Sequence, residues 1–382
     1  MQDGPAGPAP RPEKGGCFAG LQVWYQGAMV QLSRLRSLSM VLALGGGLAL
    51  AGVSAAQAAG MKDFRDWTAV CDNLDACVAF AFPKDESEIA WLRLERAGDA
   101  GAPVAIVIAI YAEDDPDVGG GPWTILVDGR PVAGLGVLSP VQDGTGFWRA
   151  EVPVANGRAL ALAARDGSAL TVSRRGRPPV ALSLSGGAAT LLWIDEQQNR
   201  LGSPTALSRA AGTPSAIVVP PAPVIVAGPA ITQTGLPGAV PPSVMKVVGD
   251  CEDMADREVQ PLIARLAPGV VLFAPVCSLG AYNAVHGLVL ADEAGRNPRA
   301  ISLPLPAGAD QASISDPMNL DYDPDTRILA SFAKGRGLGD CGDELQWIWD
   351  GKAFQVLSMQ VMPVCRGVPG DDWPTLYRAT VR

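Results

Sequence analysis

Residues that carry metal, redox or acid-base chemistry are scarce in this chain, and the shortages exclude several classes of function. The 382 residues include a single His, His286, and no Cys-x-x-Cys pair, whereas zinc sites and redox dithiols need such residues at short spacings. Charged residues make up 18% of the chain, and the net charge is −9. Because nucleic-acid binding needs clustered Lys and Arg, we expect no nucleic-acid partner. The shortage of His and of closely spaced Cys leads us to expect no metal and no cofactor.

Catalytic patterns are equally scarce. His286 can serve a hydrolytic triad only if a Ser and an acid converge on it, and Ser278 is too close in sequence to indicate this. The chain contains neither a nucleophile elbow nor a Walker loop. The sequence therefore predicts no catalytic residue.

The amino-terminal segment has the order of a secretory signal. Arg34 and Arg36 form a positive region, residues 41–53 are apolar, and Ala-Gln-Ala at 56–58 is the small-x-small pattern read by signal peptidase. The apolar run is shorter than the ~20 residues of a membrane span. We expect cleavage near Ala58, no stable membrane span afterwards, and a periplasmic or secreted protein; the alternative is an uncleaved anchor.

Residues 1–28 have no periodic apolar pattern and precede the positive region. Since a signal sequence normally begins at its positive region, we expect translation to start at Met29 or Met40. Residues 1–28 are then misread upstream sequence, and residues 29–58 are the signal peptide.

Loss of Cys17 with the leader converts seven cysteines into six, and an even count in an exported chain indicates disulfides. Six cysteines allow many pairings, and neighbourhood along the chain favours one set, with crossed pairings as the alternative. The predicted pairs are Cys71–Cys77, Cys251–Cys277 and Cys341–Cys365.

Apolar runs and turn signals predict two domains. Residues 59–212 contain several strand-like runs, among them 67–71, 90–96 and 123–127, and two helical segments, over 155–164 and 187–200. This combination indicates an α+β domain. Residues 213–243 are uncharged and rich in Pro, Ala and Val, as in an extended linker. Residues 244–382 alternate strands and turns, with one strand expected over residues 284–290, which indicates an antiparallel β domain. The expected fold class is α+β, mostly antiparallel β, with two disulfide-stabilised domains joined by the Pro-rich linker.

Five sequence blocks are similar to those of one known family. They are the W-x3-C-D-N block at 67–73, W-x-D-E-x-Q-x-R at 193–200, G-A-Y-N at 280–283, K-G-R-G-L-G-D-C-G at 334–342 and W-x-W-D-G at 347–351. Together they resemble the proteobacterial exported family catalogued as domain of unknown function eleven seventy-six. The resemblance implies a periplasmic protein and assigns no catalytic residues. The first domain also faintly resembles the invasion-associated locus B family, an exported β-rich domain.

Residues 334–342 form the sharpest local feature. Closely spaced glycines let main-chain N–H groups converge, and Lys334 and Arg336 add positive charge, so this loop is a candidate site for a carboxylate or phosphate. The structural alternative is a tight connection in which Asp340 caps the turn and Arg336 pairs with an acid. Tyr282 and Asn283 are further candidates that line a cleft, although an Asn there is more often used to complete a turn.

Asp195, Glu196 and Arg200 are the remaining ligand-binding candidates, at the end of a predicted helix. Adjacent carboxylates point in different directions on a helix, so they form a poor acid-base pair. The alternative is a polar helix face.

These patterns predict a non-enzymatic role in binding or in association with the envelope. The expected partner is an unknown envelope component or a small anionic ligand. The alternative function is a carboxylate-dependent hydrolase acting on envelope glycans, which needs two acids about 5–9 Å apart in a groove.

Amino-terminal sequencing of the protein recovered after export tests the predicted leader. We expect the exported chain to begin close after Ala58, since signal peptidase cleaves behind the small-x-small pattern. A mature chain that begins before Leu50 would contradict this prediction.

Overall fold

Strands dominate the computed structural model, which describes residues 59–112, 121–210, 212, 216–249, 251, 259–306, 309 and 316–382. The predicted signal peptide, both proposed start sites and the segment before them lie outside these residues. Among the described helices, none combines the length and apolar character required to cross a membrane.

The first half of the chain builds a large sheet, a small sheet and two helices. Its elements are β1 (Gly60–Phe64), β2 (Trp67–Cys71), β3 (Cys77–Ala81), β4 (Ala90–Arg96), β5 (Ala105–Tyr111), β6 (Trp123–Val127), β7 (Arg130–Pro131), β8 (Val141–Gln142), β9 (Phe147–Glu151), α1 (Val154–Asp166), β10 (Ala169–Arg174), β11 (Val180–Ser183) and α2 (Gly187–Gln197). The large sheet has the order β1-β2-β3-β4-β5-β9-β8, and the small sheet has the order β11-β10-β6-β7.

The large sheet is buried on both faces. Every residue of β2 and β3 is buried, and successive side chains of a strand point to opposite faces. Trp67 and Leu92 pack in the core that contains α1 and α2. Phe80 and Trp91 pack on the other face, against residues of the second half. Burial on both faces explains why these strands are continuous apolar runs rather than alternating ones.

The second half is built from short antiparallel sheets. Its elements are β12 (Val224–Ile225), α3 (Pro242–Val248), β13 (Leu262–Ala267), β14 (Val270–Ala274), β15 (Val276–Leu279), β16 (Ala284–His286), β17 (Val289–Ala291), β18 (Arg299–Ala300), β19 (Asp321–Asp323), β20 (Ile328–Lys334), β21 (Gly342–Trp349), β22 (Phe354–Met362), a 3-10 turn (Gly370–Asp372), β23 (Thr375–Arg378) and β24 (Thr380–Val381).

Antiparallel pairing prevails throughout the described strands. The five-stranded sheet has the order β19-β20-β21-β22-β23, and a four-stranded sheet has the order β13-β14-β17-β18. Strands β15 and β16 form a separate pair, and β12 pairs with β24 in parallel. The predicted fold class, α+β with mostly antiparallel β, is confirmed. Three disulfide bonds join the predicted partners: Cys71–Cys77, Cys251–Cys277 and Cys341–Cys365.

The described part of the Pro-rich segment, residues 216–243, docks on the second half. Main-chain bonds pair β12 with β24. The Gln233 side chain accepts a hydrogen bond from the Arg265 N–H at 2.8 Å and donates to the Arg265 carbonyl at 3.0 Å. Main-chain pairing therefore holds this uncharged segment in place, while the predicted domain boundaries stay a prediction.

One predicted strand, over residues 284–290, is wrong as a single element. The chain leaves β16 at His286 and enters β17 of a different sheet at Val289. Gly287 lies at the break, where a Cβ would come 2.4 Å from a Val248 methyl group and 3.1 Å from the Cys277 sulfur. The close approach of α3 and the disulfide explains both the break and the need for glycine.

The two halves share a core and several polar bonds. Phe80 and Trp91 of the large sheet pack in one cluster with Met362 and Trp373 of the second half. At the edge of this contact, Arg378 lies 2.6 Å from the buried carboxylate of Asp72. Burial of apolar side chains from both halves in one cluster couples their stabilities.

Phe80→Ala tests this coupling. Removing a fully buried Phe ring leaves a cavity, so we expect the free energy of unfolding to fall by about 3–5 kcal/mol. Hydrogen exchange followed by mass spectrometry should show lost protection in peptides of the second half as well as the first. Leu192→Ala is the matched control, because that side chain is 49% exposed. Protection that changes only in the first half would contradict the coupling.

Candidate functional site

Residues 334–342 connect β20 to β21 as a tight, internally bonded loop. The Gly335 N–H donates to the Cys341 carbonyl at 2.8 Å, and the Gly339 N–H donates to the Arg336 carbonyl at 2.9 Å. The disulfide from Cys341 to Cys365 holds the end of the loop against the segment after β22. These bonds make the loop rigid.

Asp340 and Arg336 form an ion pair inside the loop. Arg336 Nε donates to Asp340 Oδ1 at 2.6 Å, and the Gly367 N–H donates to Oδ2 at 2.6 Å. Burial by itself would raise the pKa of Asp340, but the hydrogen bonds from Arg336 and Gly367 outweigh it and hold the pKa below its usual value. Asp340 thus ties the loop to the chain behind it, as the structural alternative expects.

Tyr282 and Asn283 lie against the same loop. The Asn283 amide donates to the Lys334 carbonyl at 2.9 Å and accepts from the Lys334 N–H at 3.1 Å. It thus makes the same pair of main-chain hydrogen bonds that a neighbouring strand would make. The Tyr282 hydroxyl donates to the Gly335 carbonyl at 3.3 Å. The structure therefore brings together five of the predicted residues, from two segments far apart in sequence, in what we call the glycine-loop corner: Tyr282, Asn283, Lys334, Arg336 and Asp340.

Asn319 belongs to the same corner and carried no sequence signal. Its amide donates to Asn283 Oδ1 at 2.9 Å and to the Phe332 carbonyl at 2.7 Å. Its positive φ of 51° is a backbone conformation that Asn tolerates better than most residues. A single Asn outside any motif is indistinguishable from a turn residue, so only the fold reveals its place.

The exposed part of the corner combines a cation with apolar and phenolic groups. The Lys334 ammonium lies 5.7 Å from the centre of the Phe332 ring. Within the described residues, Lys334 has no salt bridge. Tyr282 is 42% exposed and Leu338 is 74% exposed. The corner therefore offers a positive charge beside apolar surface on a rigid backbone.

Asp195 and Arg200 have structural partners at the end of α2. Asp195 is fully buried, and its carboxylate accepts from the Leu207 and Ser208 N–H groups at 2.7 Å each. Arg200, also fully buried, donates to Gln198 Oε1 at 3.0 Å and to the Ala100 carbonyl at 3.0 Å. Both side chains hold loops against α2.

Glu196, by contrast, is exposed on α2. Helix α2 packs on the face of the large sheet that carries Trp67, whereas Cys341 of the glycine loop packs on the opposite face. Glu196 and its two neighbouring candidates therefore do not join the glycine-loop corner.

A cavity of about 400 Å³ lies between the two halves and is bordered by the carboxylate side chains of Asp63, Asp66 and Glu86. Asp63 accepts from the Thr68 hydroxyl at 2.7 Å, and Asp66 accepts from the Ser183 hydroxyl at 2.5 Å. Arg366 lies 3.8 Å from Glu86 at the same cavity. These acids have donors or arginines beside them, unlike an isolated pair of catalytic carboxyl groups.

His286 borders another cavity, of about 310 Å³, together with Ser302 and Asp316. Its Nδ1 lies 3.2 Å from the Ala274 carbonyl, and its Nε2 accepts from the Leu320 N–H at 3.4 Å. Burial lowers the pKa of His286, so the ring is neutral and both nitrogens are engaged. Within the described residues, no group of three or more His, Cys, Asp or Glu side chains is arranged to hold a metal ion.

Comparison with known proteins identifies relatives that match most of the chain. A family model described as "Protein of unknown function (DUF1176)" matches residues 61–380. "Uncharacterized protein YpfG" of Escherichia coli (strain K12) is 30% identical over 339 residues, which cover 83% of this chain and 92% of the relative.

Among solved structures, invasion associated protein B from Bartonella henselae is similar over 36% of this chain and 98% of its own, with 18% identity and a TM-score of 0.25. The family expected from the sequence blocks is confirmed by the model that matches residues 61–380. This chain belongs to the family described as proteins of unknown function, DUF1176.

Proposed function

We propose that this protein is an exported, non-enzymatic binding protein of the cell envelope. Its glycine-loop corner holds a small anionic ligand or an anionic group of an envelope component. Three disulfides support export, because such bonds persist in oxidising compartments such as the periplasm. The leader predicted over residues 29–58 supports the same compartment.

The observation that carries this proposal is the position of Lys334. Its ammonium has no salt bridge within the described part of the chain, although the whole protein has a net charge of −9. Asn283 holds the Lys334 main chain on both its N–H and its carbonyl. Because the main chain is already held, only the Lys334 side chain has to be ordered when a ligand binds.

The neighbours of Lys334 favour a ligand with an apolar or sugar-like body. Tyr282 is half-exposed, and Leu338 is largely exposed. An aromatic ring with a polar tip suits ligands that are apolar on one side and wet on the other. Arg336 stabilises the loop rather than the bound ligand, since its charge is already neutralised by Asp340.

The alternative hydrolase receives less support from the geometry. In the cavity between the halves, Asp63 and Asp66 accept hydrogen bonds from Thr68 and Ser183, and two arginines border the same cavity. These hydrogen bonds tie both acids to the fold, whereas a glycosidase needs two carboxyl groups that are free to act on a substrate in a groove.

Lys334→Ala tests the proposed site. Isothermal titration of the exported protein with citrate and with an anionic muropeptide measures binding directly. We expect the variant to bind the ligand about tenfold more weakly or worse, because a charge-assisted hydrogen bond is lost. Tyr282→Ala should weaken binding of the muropeptide more than binding of citrate, because only the muropeptide has a body that contacts the ring.

Lys352→Ala is the matched control, since Lys352 is an exposed lysine on the turn between β21 and β22. It should bind both probes like the unaltered protein. Equal affinity in Lys334→Ala and Lys352→Ala would overturn the assignment of the site. Hydrolysis of the muropeptide by the purified protein would overturn the non-enzymatic role.

A further inference from the structure

We propose that the cavity between the two halves is a second ligand site, which binds a short zwitterionic peptide by its ammonium and carboxylate groups. Its volume of about 400 Å³ is in the range of cavities that hold small molecules. Among the described residues that border it, none belongs to the glycine-loop corner. The inference therefore goes beyond the proposed function and does not depend on it.

Charged side chains of both signs border this cavity and remain largely unpaired: Asp63, Arg65, Asp66, Glu86 and Arg366. Among the described residues, no salt bridge joins Arg65 to either aspartate. Arg366 Nη1 lies 3.8 Å from Glu86 Oε1, which is beyond hydrogen-bond distance. Opposite charges that share a cavity without pairing can both be satisfied by a ligand that has one positive and one negative group.

Each aspartate is held by one carboxylate oxygen and keeps the other available. Asp63 Oδ1 accepts from the Thr68 hydroxyl at 2.7 Å, and Asp66 Oδ2 accepts from the Ser183 hydroxyl at 2.5 Å. The second oxygen of each aspartate has no hydrogen-bond donor in the described part of the chain. Since Asp63 is exposed and Asp66 is half-buried, a ligand ammonium can reach these oxygens from the cavity.

Arg366 is held at the cavity by contacts with Phe82 and Pro83. Its guanidinium carbon lies 5.3 Å from the centre of the Phe82 ring, and Nη2 donates to the Pro83 carbonyl. Nη1 makes no hydrogen bond to the described residues, and the neighbouring Glu86 side chain is 83% exposed. A ligand carboxylate can therefore accept a charge-assisted hydrogen bond from Nη1.

Arg65 supplies a second cation from a backbone position that does not favour arginine. It lies in the two-residue turn between β1 and β2 with a φ of 59°, which Gly and Asn adopt more readily than a long side chain. Its side chain is exposed and makes one weak contact, at 3.5 Å from the Ser185 hydroxyl. The arginine is thus explained by the cavity rather than by the turn.

The turn that carries Arg65 and Asp66 is held from behind by the start of α2. The Asp66 N–H donates to the Ser185 carbonyl at 3.2 Å. At Gly186, a Cβ would lie 1.8 Å from the Phe64 carbonyl oxygen, so glycine is required for this close approach. Because the main chain at the cavity is already fixed, less conformational freedom is lost when a ligand binds.

The balance of charge selects for a ligand with an ammonium group. Three carboxylates and two guanidinium groups border the cavity, so negative charge exceeds positive charge by one. A simple anion such as citrate, which we expect at the glycine-loop corner, is therefore disfavoured here. A peptide with free termini presents the ammonium to the aspartates and the carboxylate to the arginines.

Dipeptides that lack one charge test the two ends of the ligand separately. Isothermal titration of the exported protein at low ionic strength compares L-alanyl-L-alanine and D-alanyl-D-alanine with their N-acetyl and C-amide derivatives. We expect dialanine to bind, and each derivative to bind about tenfold more weakly or worse, because each has lost one charge-assisted hydrogen bond. Binding of either stereoisomer supports the proposal, and a preference for the D,D form identifies the source as cell-wall peptides.

Arg65→Asn removes a cation of the site without straining the turn. Because Asn tolerates a positive φ better than Arg, we expect this variant to unfold at the same temperature as the unaltered protein or higher, and to bind dialanine about tenfold more weakly. Asp63→Asn, which keeps an acceptor for Thr68, should weaken binding to a similar degree. Arg175→Asn, at an exposed arginine of the β10–β11 turn, is the charge-matched control and should bind normally.

Lys334→Ala should also bind dialanine normally, which separates failure of this site from failure of the glycine-loop corner. If dialanine binds no better than its N-acetyl and C-amide derivatives, the proposal is wrong. It is equally wrong if Arg65→Asn and Asp63→Asn bind dialanine like the unaltered protein.

Discussion

Burial of the seven-stranded sheet on both of its faces is the constraint on which the other features depend. Helices α1 and α2 cover one face, and the β-rich second half covers the other. A central strand of this sheet has no solvated side, so side chains on both of its faces pack inside the protein. Trp67, Phe80 and Trp91 are accordingly almost completely buried, and the exposed chemistry lies in the loops at the rim.

The buried charged side chains of this protein mainly hold the loops around the large sheet in place. Asp195 holds the chain that follows α2, and Arg200 gathers the carbonyl groups of residues 98–100. Asp340 joins the glycine loop to the segment after β22. Because a buried charge is costly unless it is paired and hydrogen-bonded, these residues are strongly tied to their positions. The sequence blocks that contain Asp195, Arg200 and Asp340 therefore reflect structural roles as much as function.

Lys334 is a positive position that these structural pairs do not use. It lies at the start of the glycine loop, its ammonium is 5.7 Å from the centre of the Phe332 ring, and it has no salt bridge among the described residues. The chain as a whole has a net negative charge. Under the proposed function, an anion that reaches Lys334 therefore meets local attraction against a repulsive background, which favours ligands that also fit the surrounding surface.

The sequence by itself determined the strands over 67–71, 90–96 and 123–127, the two longer helices, the three disulfide pairs and the family. These features depend on local periodicity, on cysteines that are near each other in sequence and on distinctive blocks of residues. Only the tertiary structure decided that residues 284–290 divide between two sheets, that Asn283 pairs with Lys334, and that Arg96 forms an ion pair with Asp195. Each of these contacts joins segments that are distant along the chain, and no local pattern records which distant segment will pack there.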